Sequence, residues 1–382
     1  MRIAYVINSL EGGGAAAPVP AVTRVLIGQG AEVRVFALTR RDGRALAAME
    51  AAGLQVHIRE GAEKDHLDAL TWLDREIADF APTLIWTSLT RATLLGQLVG
   101  LRRRLPVVSW QHAAFLKPAN LFLLRALQGL TQLWIGDSNN VTCLTARRLG
   151  VPPDRLTTWP LFSAEGDMPI AKPWRPGEIV ELGSLGRLHR VKGYDVLLDA
   201  LAILKERGFQ PSTPFRVRLA GDGAQRAELQ ARIAQANLDH VELIGFCDRP
   251  REFLGQLHLY LQPSRSEGLC IAAHEAMEAG LPTIVSAVGE MPFSVLNGRT
   301  GLVVEPEDPE ALADALERLL RHPEALETMG AAARSRVLER FGAAAFARTG
   351  AEIYARLPLT RARSRGARRR RSATGLATGR SV

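Results

Sequence analysis

Two positive charges stand where a helix is predicted to begin in the second half of the chain. Arg187 and Lys192 lie between a short apolar run and a helical pattern that begins at Tyr194. Two cations beside the positive end of a helix dipole favour an anion, and a diphosphate has the matching size and charge. The alternative is a group of solvated charges in a loop.

A second segment combines two carboxylates with another predicted helix start. Glu267 ends a loop, and Glu275 lies eight residues later. The helix between them opens with free backbone amides, those of Gly268, Leu269 and Cys270. Such amides bind phosphate oxygens, and carboxylates at the rim of a cleft accept hydrogen bonds from sugar or ribose hydroxyls. Alternatively, Glu267 caps the helix and Glu275 is solvated.

A glycine cluster and one histidine complete the candidate residues. Gly13 and Gly14 follow the first predicted strand, where glycine amides can approach a ligand at the carboxyl end of an open sheet. A plain tight turn is the alternative, and the absence of G-x-G-x-x-G argues against a nicotinamide site. His112 ends a strand, where it either contacts substrate or is structural. Glu278 is expected to face solvent because of its angle on the helix.

The elements that position these residues follow from the sequence pattern. Short β-branched runs alternate with helical patterns, which predicts βαβ units and parallel sheets. The predicted strands cover residues 3–8, 33–38, 84–88, 107–110, 133–136, 178–183, 215–220, 241–244, 258–262, 283–286 and 301–304. Four prolines and no regular period at 160–177 indicate a linker. We therefore expect two Rossmann-like domains, residues 1–165 and 166–340, with a final helix at 341–357 that packs back onto the first domain.

The net charge of +8 comes from the end of the chain. Residues 361–382 hold eight Arg and no acidic residue, whereas the first 360 residues hold 40 basic and 40 acidic residues. The neutral body gives no reason to expect nucleic acid as a partner. Three scattered Cys argue against a disulfide framework or a metal site. The apolar residues 3–7 are interpreted as a strand rather than a signal peptide, so a soluble, cytoplasmic protein is expected.

Five motifs follow one another in the second half of the chain. They are Gly186-Arg187-Leu188 with Lys192-Gly193, Leu219-Ala220-Gly221-Asp222-Gly223, Pro263-Ser264 with Glu267 and Glu275, Ala276-Met277 with Gly280-Leu281-Pro282, and Thr300-Gly301-Leu302-Val303-Val304. In this order they closely resemble the retaining glycosyltransferases of family 4. The resemblance covers roughly residues 1–357 and implies the GT-B fold, an α/β architecture in which two Rossmann-like domains with parallel sheets face each other across a cleft.

The resemblance implies a role for each candidate residue. Arg187 and Lys192 hold the diphosphate, Glu267 lies near the donor sugar, Glu275 lies near the ribose, and His112 contacts substrate. The remaining donor-binding groups are the glycine loop and the helix amides, at Gly13, Gly14, Gly268, Leu269 and Cys270. The chain departs from the family in the second domain: Cys270 stands where Gly is usual, and Gly289-Glu290 replaces a common Gly-Gly pair.

The resemblance implies a retaining hexosyltransferase that uses a nucleotide diphosphate sugar, UDP- or GDP-linked, as co-substrate without a cofactor. Its acceptor is expected to be a saccharide or lipid-linked saccharide in bacterial cell-surface polysaccharide or glycolipid synthesis. No Asp-x-Asp occurs, which favours a metal-independent reaction. A GT-B nucleotide-sugar epimerase, a phosphorylase with an aldehyde cofactor, and a non-catalytic carbohydrate-binding or assembly protein stay open as alternatives.

The Arg-rich tail, residues 358–382, is expected to be disordered, and it either stays solvated or contacts an anionic membrane surface as a peripheral anchor. Each basic residue near such a surface contributes ~1 kcal/mol, screened by salt within ~8 Å. If the tail is an anchor, the full chain sediments with anionic liposomes at low salt and a chain ending at Leu359 does not. Equal binding by both chains, or by neither, would leave the tail without a membrane role.

Overall fold

The computed structural model describes residues 1–12, 14–112 and 116–357. Gly13 and the Arg-rich tail therefore lie outside the described residues. The first half of the chain forms a parallel sheet of seven strands: β1 (Arg2–Ile7), β2 (Glu32–Ala37), β3 (Gln55–Ile58), β4 (Leu84–Ser88), β5 (Val107–Gln111), β6 (Leu133–Gly136) and β7 (Leu156–Thr158). Its helices are α1 (Val19–Gly28), α2 (Leu46–Ala51), α3 (His66–Phe80), α4 (Thr90–Arg103), α5 (Pro118–Leu127) and α6 (Asn139–Leu149).

The second half repeats this architecture with six parallel strands: β8 (Val180–Leu185), β9 (Phe215–Ala220), β10 (Val241–Gly245), β11 (Leu259–Gln262), β12 (Thr283–Ser286) and β13 (Gly301–Val304). Its helices are α7 (Tyr194–Glu206), α8 (Arg226–Gln235), α9 (Pro250–Leu254), α10 (Ile271–Glu278), α11 (Met291–Ser294), α12 (Pro309–Arg321), α13 (Ala325–Phe341) and α14 (Ala343–Arg356). None of the helices in the described part of the chain is long and apolar enough to cross a membrane.

Both sheets reverse their strand order beside their first strand. The first sheet runs β3-β2-β1-β4-β5-β6-β7, and the second runs β10-β9-β8-β11-β12-β13. In such sheets the loops at the carboxyl ends of the strands beside the reversal leave a crevice for ligands. The loops that follow β1, β8 and β11 hold the glycine cluster, the two cations and Glu267, so the topology places the candidate residues at these two crevices.

Every predicted strand is present, and two strands were missed. These are β3 and β7, which form the outer edges of the first sheet. Their residues are only partly buried or exposed, and neither has the continuous apolar run of a strand covered on both faces. The apolar stripe predicted for the helix after residue 193 is confirmed, because Tyr194, Leu197, Leu198, Leu201 and Leu204 are all buried.

Helix α14 crosses from the second half of the chain to the first and packs on α1. Trp159, which follows β7, anchors this crossing. Its ring stacks on Trp110 at a centroid distance of 4.9 Å and lies 5.0 Å from Phe346 of α14. Its indole nitrogen also donates to the carbonyl oxygen of Phe346 at 3.2 Å. Buried aromatic contacts therefore attach the last helix to the first sheet.

The linker packs against α10 rather than crossing open solvent, which makes the prediction for Glu278 wrong. Glu278 is buried, and its Oε1 accepts a hydrogen bond from the backbone nitrogen of Gly166 at 2.9 Å. Arg334 of α13 donates to the carbonyl oxygen of Gly166 at 2.7 Å on the same side. The helical periodicity places Glu278 on the face of α10 that points away from the sheet, but α13 and the linker cover that face as well.

Candidate functional site

Two of the predicted site residues, Lys192 and Glu267, form an ion pair between two loops of the second domain. The Nζ atom of Lys192 lies 2.8 Å from Oε1 of Glu267. The same carboxylate oxygen accepts hydrogen bonds from Ser264 Oγ at 2.6 Å and from Gln262 Nε2 at 3.2 Å. The two charged side chains are 21% and 10% exposed. Three donors therefore fix the carboxylate of Glu267 while a part of the pair stays open to the cleft.

The environment keeps Lys192 positively charged. Burial acts to lower the pKa of its ammonium group, but the negative charge and hydrogen bond of Glu267 outweigh burial and leave that pKa above its ordinary value. A charged ammonium that is held by packing and by one carboxylate is preorganised to meet a second anion.

Arg265, to which the sequence analysis assigned no role, holds the two loops together. Its guanidinium makes a bidentate ion pair with Asp195, at 2.7 and 2.8 Å, just beyond Lys192. It also donates to the carbonyl oxygen of Arg190 at 2.8 Å. The hydrogen bonds that this guanidinium donates to Asp195 raise its pKa. This contact could have been predicted from the sequence, because Asp195 stands close to Lys192 and the oppositely charged Arg265 stands close to Glu267.

The backbones of these loops touch at Gly193. Its φ is +67°, in the left-handed region, and a Cβ atom there would lie 1.9 Å from the carbonyl oxygen of Pro263. A side chain at this position would therefore separate the loop of Lys192 from the loop of Glu267.

Arg187 lies apart from this pair, on a cavity of about 380 Å³ between the domains. Arg41 and Arg91 also line the cavity, but they are paired with Glu63 and Asp65. Arg187 is exposed and makes no ion pair with any residue that the structure describes, so its charge is available to an anion. The other lining residues come from the first domain and include Asn8, Ser9, Gly12, Gly14, Ala15, Ala16 and Thr39.

His112 lies at the floor of the cleft, after β5. Its side chain is 6% exposed, and its Nε2 lies 2.6 Å from Ser88 Oγ. Burial lowers the pKa of the imidazole to about 3, so the ring is neutral near pH 7. A Cβ atom on Gly268 would lie 2.6 Å from the carbonyl oxygen of His112. The predicted His112 and Gly268 are therefore in contact, although they belong to different domains.

Two buried carboxyl groups beside His112 were not predicted as site residues. Asp137 follows β6, and its Oδ2 lies 3.9 Å from Nδ1 of His112. Glu290 follows β12; its backbone nitrogen donates to the carbonyl oxygen of Gly268 at 3.0 Å, and its Oε1 lies 3.0 Å from Nη2 of Arg340. Asp137 could have been suspected because, like His112, it is a polar residue directly after a strand.

The start of α10 differs in detail from the prediction. Leu269 is buried in the core, so only its backbone faces the site. Cys270 caps the helix with φ +65°, a conformation that suits the Gly expected by the resemblance. Glu275 is half-buried farther along α10 and is not among the residues that line the cavity at Arg187. Burial raises the pKa of its carboxyl to about 7, although Arg251 opposes this shift.

A larger cavity, of about 480 Å³, lies beneath the linker. It is lined mainly by apolar side chains such as Ile170, Trp174 and Leu338, and none of the predicted site residues borders it. The polar groups that could carry chemistry converge in the cleft instead.

Two family models match consecutive parts of the chain. Glycosyltransferase Family 4 matches residues 12–162, and Glycosyl transferases group 1 matches residues 172–336. A D-inositol 3-phosphate glycosyltransferase of Streptomyces griseus is 30% identical over 238 residues, which are 59% of this chain and 44% of that protein. The chain thus matches less than half the length of this curated relative.

Solved structures share the whole architecture. The crystal structure of Anabaena Alr3699/HepE in complex with UDP and glucose has a TM-score of 0.81 at 18% identity, covering 94% of this chain and all of that one. The apo form of the lipopolysaccharide outer core galactosyltransferase WaaB has a TM-score of 0.75 at 15% identity, with the same coverage. At these identities the similarity concerns the fold, and it confirms the predicted pair of facing Rossmann-like domains.

Proposed function

The chain belongs to the glycosyltransferases of family 4 and group 1, and from this premise we propose that it transfers a hexosyl residue from a nucleotide diphosphate sugar to a hydroxyl of a saccharide or lipid-linked saccharide. The observation that carries the proposal is the cation arrangement of the cleft. Lys192 is preorganised on Glu267, and Arg187, which makes no ion pair among the described residues, lies five residues earlier in the chain on the cavity beside Gly12 and Gly14. A diphosphate between these loops would meet both charges.

The proposed reaction breaks the bond between the anomeric carbon and the β-phosphate oxygen. Negative charge develops on that oxygen, and Lys192 and Arg187 stabilise it. The acceptor oxygen bonds to the anomeric carbon from the same face, and its proton passes to the departing phosphate, so the configuration is retained. Glu267 positions Lys192 and contacts the sugar. Closure of the domains excludes water and limits hydrolysis of the donor.

A uridine nucleotide is the first choice for the donor, and a guanosine nucleotide is the second. The support is a resemblance of fold to a protein crystallised with UDP and with UDP-glucose. We propose that the acceptor belongs to cell-surface polysaccharide or glycolipid synthesis, supported by the fold shared with a lipopolysaccharide galactosyltransferase. This role would place the protein in the cytoplasm, at the inner face of the membrane. Three arginines follow Leu101 and could add to attraction by a membrane, but Arg103 pairs with Asp74 at 2.7 Å, which leaves fewer charges for lipid.

A donor screen tests the proposed function. The protein is incubated with UDP-glucose, UDP-galactose, UDP-N-acetylglucosamine and GDP-mannose, with and without a saccharide and glycolipid fraction, and release of nucleoside diphosphate is measured. We expect one donor to be consumed much faster when acceptor is present. Conversion of the sugar without acceptor would indicate an epimerase instead. Donor binding without any turnover would indicate a carbohydrate-binding or assembly protein.

Turnover is expected to survive chelation of divalent metals. The chain has no Asp-x-Asp, and the described ranges contain no group of three or more His, Cys, Asp or Glu that could hold a metal ion. The two cations and the helix amides are proposed to stabilise the leaving group in place of a metal. Initial rates are measured with and without EDTA. Loss of activity that Mg²⁺ or Mn²⁺ restores would show that the leaving-group chemistry is different.

Nucleotide binding is expected to strengthen between pH 6 and pH 8 because of Glu275. Burial raises the pKa of this carboxyl from 4.5 to about 7, and only its ionised form accepts two ribose hydroxyls. Affinity for the nucleotide should therefore rise up to about tenfold across this range, as the carboxylate forms. Titration calorimetry measures the dissociation constant at each pH.

The matched control for this experiment is Glu275→Gln. The phosphate of the nucleotide titrates in both proteins, so only the difference between them reports on Glu275. The variant should bind more weakly at pH 8 and show a smaller slope. The raised pKa also predicts that wild-type stability falls as pH rises from 4.5 to 7, because the folded state retains a proton that the unfolded state loses. Equal slopes and equal affinities would remove Glu275 from the ribose site.

A further inference from the structure

Three residues around Gly268 each carry a buried polar atom that lacks a partner in the described part of the chain. These atoms are Nδ1 of His112, Oδ1 of Asp137 and Oε2 of Glu290, none of which has a hydrogen-bond partner within residues 1–12, 14–112 and 116–357. The exposed fractions are 6% for the His112 side chain, 5% for that of Asp137 and 2% for that of Glu290. A buried polar atom without a partner costs about 1–3 kcal/mol, so a cluster of them indicates a site that a ligand completes.

The three residues belong to both domains and approach the predicted donor loop, where the charge of Glu290 is close enough to act on Asp137. His112 and Asp137 follow adjacent strands, β5 and β6, of the first sheet. A Cβ atom on Gly268 would lie 3.1 Å from Oδ2 of Asp137, and Gly268 itself accepts the hydrogen bond from the backbone of Glu290. Because Glu267 precedes Gly268, the cluster lies directly next to the ion pair of Lys192. A sugar attached to a diphosphate at Lys192 would extend into this cluster.

We infer that Asp137 and Glu290 form a carboxyl pair that contacts the donor sugar and selects sugars with neutral hydroxyls over sugars that carry a carboxylate. This inference rests on the proposed function, since it names the class of sugar that the donor site accepts. The pair would therefore bind an ordinary hexose and reject a uronic acid.

The charges of the pair provide the selection. Glu290 shares one oxygen with Arg340, whereas Asp137 has no cation as a partner among the described residues. Burial raises the pKa of Asp137 well above its ordinary value, and the charges of Glu290 and Glu267 raise it further. This shift favours the protonated form of Asp137, which can donate a hydrogen bond, while Oε2 of Glu290, which has no partner among the described residues, can accept one. A sugar hydroxyl can satisfy both because it accepts and donates.

A sugar carboxylate cannot satisfy the pair in this way. It has no proton to donate to Glu290, and its negative charge would lack a partner in this buried site, because Lys192 and Arg340 are already paired with Glu267 and Glu290. His112 does not compensate, because its imidazole is neutral near pH 7. The mismatch gives discrimination by an unpaired buried charge as well as by loss of a hydrogen bond.

Calorimetry with three probes tests the inference. UDP, UDP-glucose and UDP-glucuronic acid are titrated into the wild type, Asp137→Ala and Glu290→Gln, and melting curves verify that each variant folds. The same series is run with GDP, GDP-mannose and GDP-mannuronic acid. Asp74→Asn is the matched control, because Asp74 is a buried carboxylate of the first domain that pairs with Arg103 outside the cleft.

We expect Asp137→Ala to weaken binding of the hexose nucleotide about tenfold and to change binding of the free nucleotide less than twofold. The wild type should bind the uronate nucleotide at least about tenfold more weakly than the hexose nucleotide, and Glu290→Gln should narrow this difference. If Glu290→Gln does not fold, the Asp137→Ala result and the wild-type preference decide the matter.

Three results would overturn the inference alone, with nucleotide binding intact. The first is an Asp137→Ala variant that binds all probes like the wild type, which would mean that the cluster holds only water. The second is an equal loss of affinity for the free and the sugar-linked nucleotide in Asp137→Ala, as a structural defect would produce. Equal affinity of the wild type for hexose and uronate nucleotides is the third. Failure of the wild type to bind either nucleotide would instead overturn the proposed function, and the carboxyl pair with it.

Discussion

Lys192→Ala is expected to reduce turnover by about a hundredfold or more, the largest effect in the chain. The ammonium group meets the leaving phosphate where negative charge develops, and removal of one such donor typically costs a factor of 10²–10³. The substitution also leaves the carboxylate of Glu267 with only Ser264 and Gln262 as donors. Steady-state rates with the donor found in the screen measure the loss, and a melting curve separates it from unfolding.

Arg187→Ala is expected to lose turnover by a similar factor, with little effect on stability. Arg187 is exposed and makes no ion pair among the described residues, so the fold does not depend on its charge. Arg190→Ala is the matched control, because Arg190 is an exposed arginine of the same loop. Wild-type turnover in either Arg187→Ala or Lys192→Ala would remove these cations from the leaving-group site. A loss of equal size in Arg190→Ala would show that any charge in the loop has the same effect.

Glu267→Gln is also expected to reduce turnover by about a hundredfold. The amide keeps the size of the side chain but removes the charge that raises the pKa of Lys192 and fixes its ammonium group. Ser264 Oγ can still donate to the amide oxygen, so the loop should keep its shape. We therefore expect only a small change in melting temperature, too small to explain the loss of turnover.

The control for this variant is Glu307→Gln. Glu307 pairs with Arg265 at 2.7 Å on the outside of the same loops and is 61% exposed, so its removal costs little. Rates and melting temperatures are compared for the two variants. A fully active Glu267→Gln enzyme would mean that the Lys192–Glu267 pair only holds the loops together.

The site residues in loops that follow strands could be predicted from the sequence alone. Lys192 and Glu267 were recognisable because a strand end and a helix start leave free backbone amides beside them, and both features have local patterns. The same local patterns located every strand that is buried on both faces. They missed β3 and β7 because edge strands need no continuous apolar run.

Contacts between the domains could not be predicted in this way. Asp137 and Glu290 lie in different domains, and only the docking of the two sheets brings Asp137 to Gly268, which Glu290 contacts within the second domain. The periodicity of a helix describes which of its faces is apolar, but not which element covers a polar face. Glu278 was misassigned for that reason, since α13 and the linker cover it.

The most direct test of the account follows the sugar itself. The protein is incubated with a nucleotide sugar whose hexose is uniformly labelled with ¹³C, together with the acceptor fraction, and products are analysed by mass spectrometry. We expect a labelled hexose on the acceptor in amounts that match the nucleoside diphosphate released, and a loss of both in Lys192→Ala. Label that stays on the nucleotide, or that appears only as free sugar, would contradict the proposal that this cleft transfers hexose to a hydroxyl.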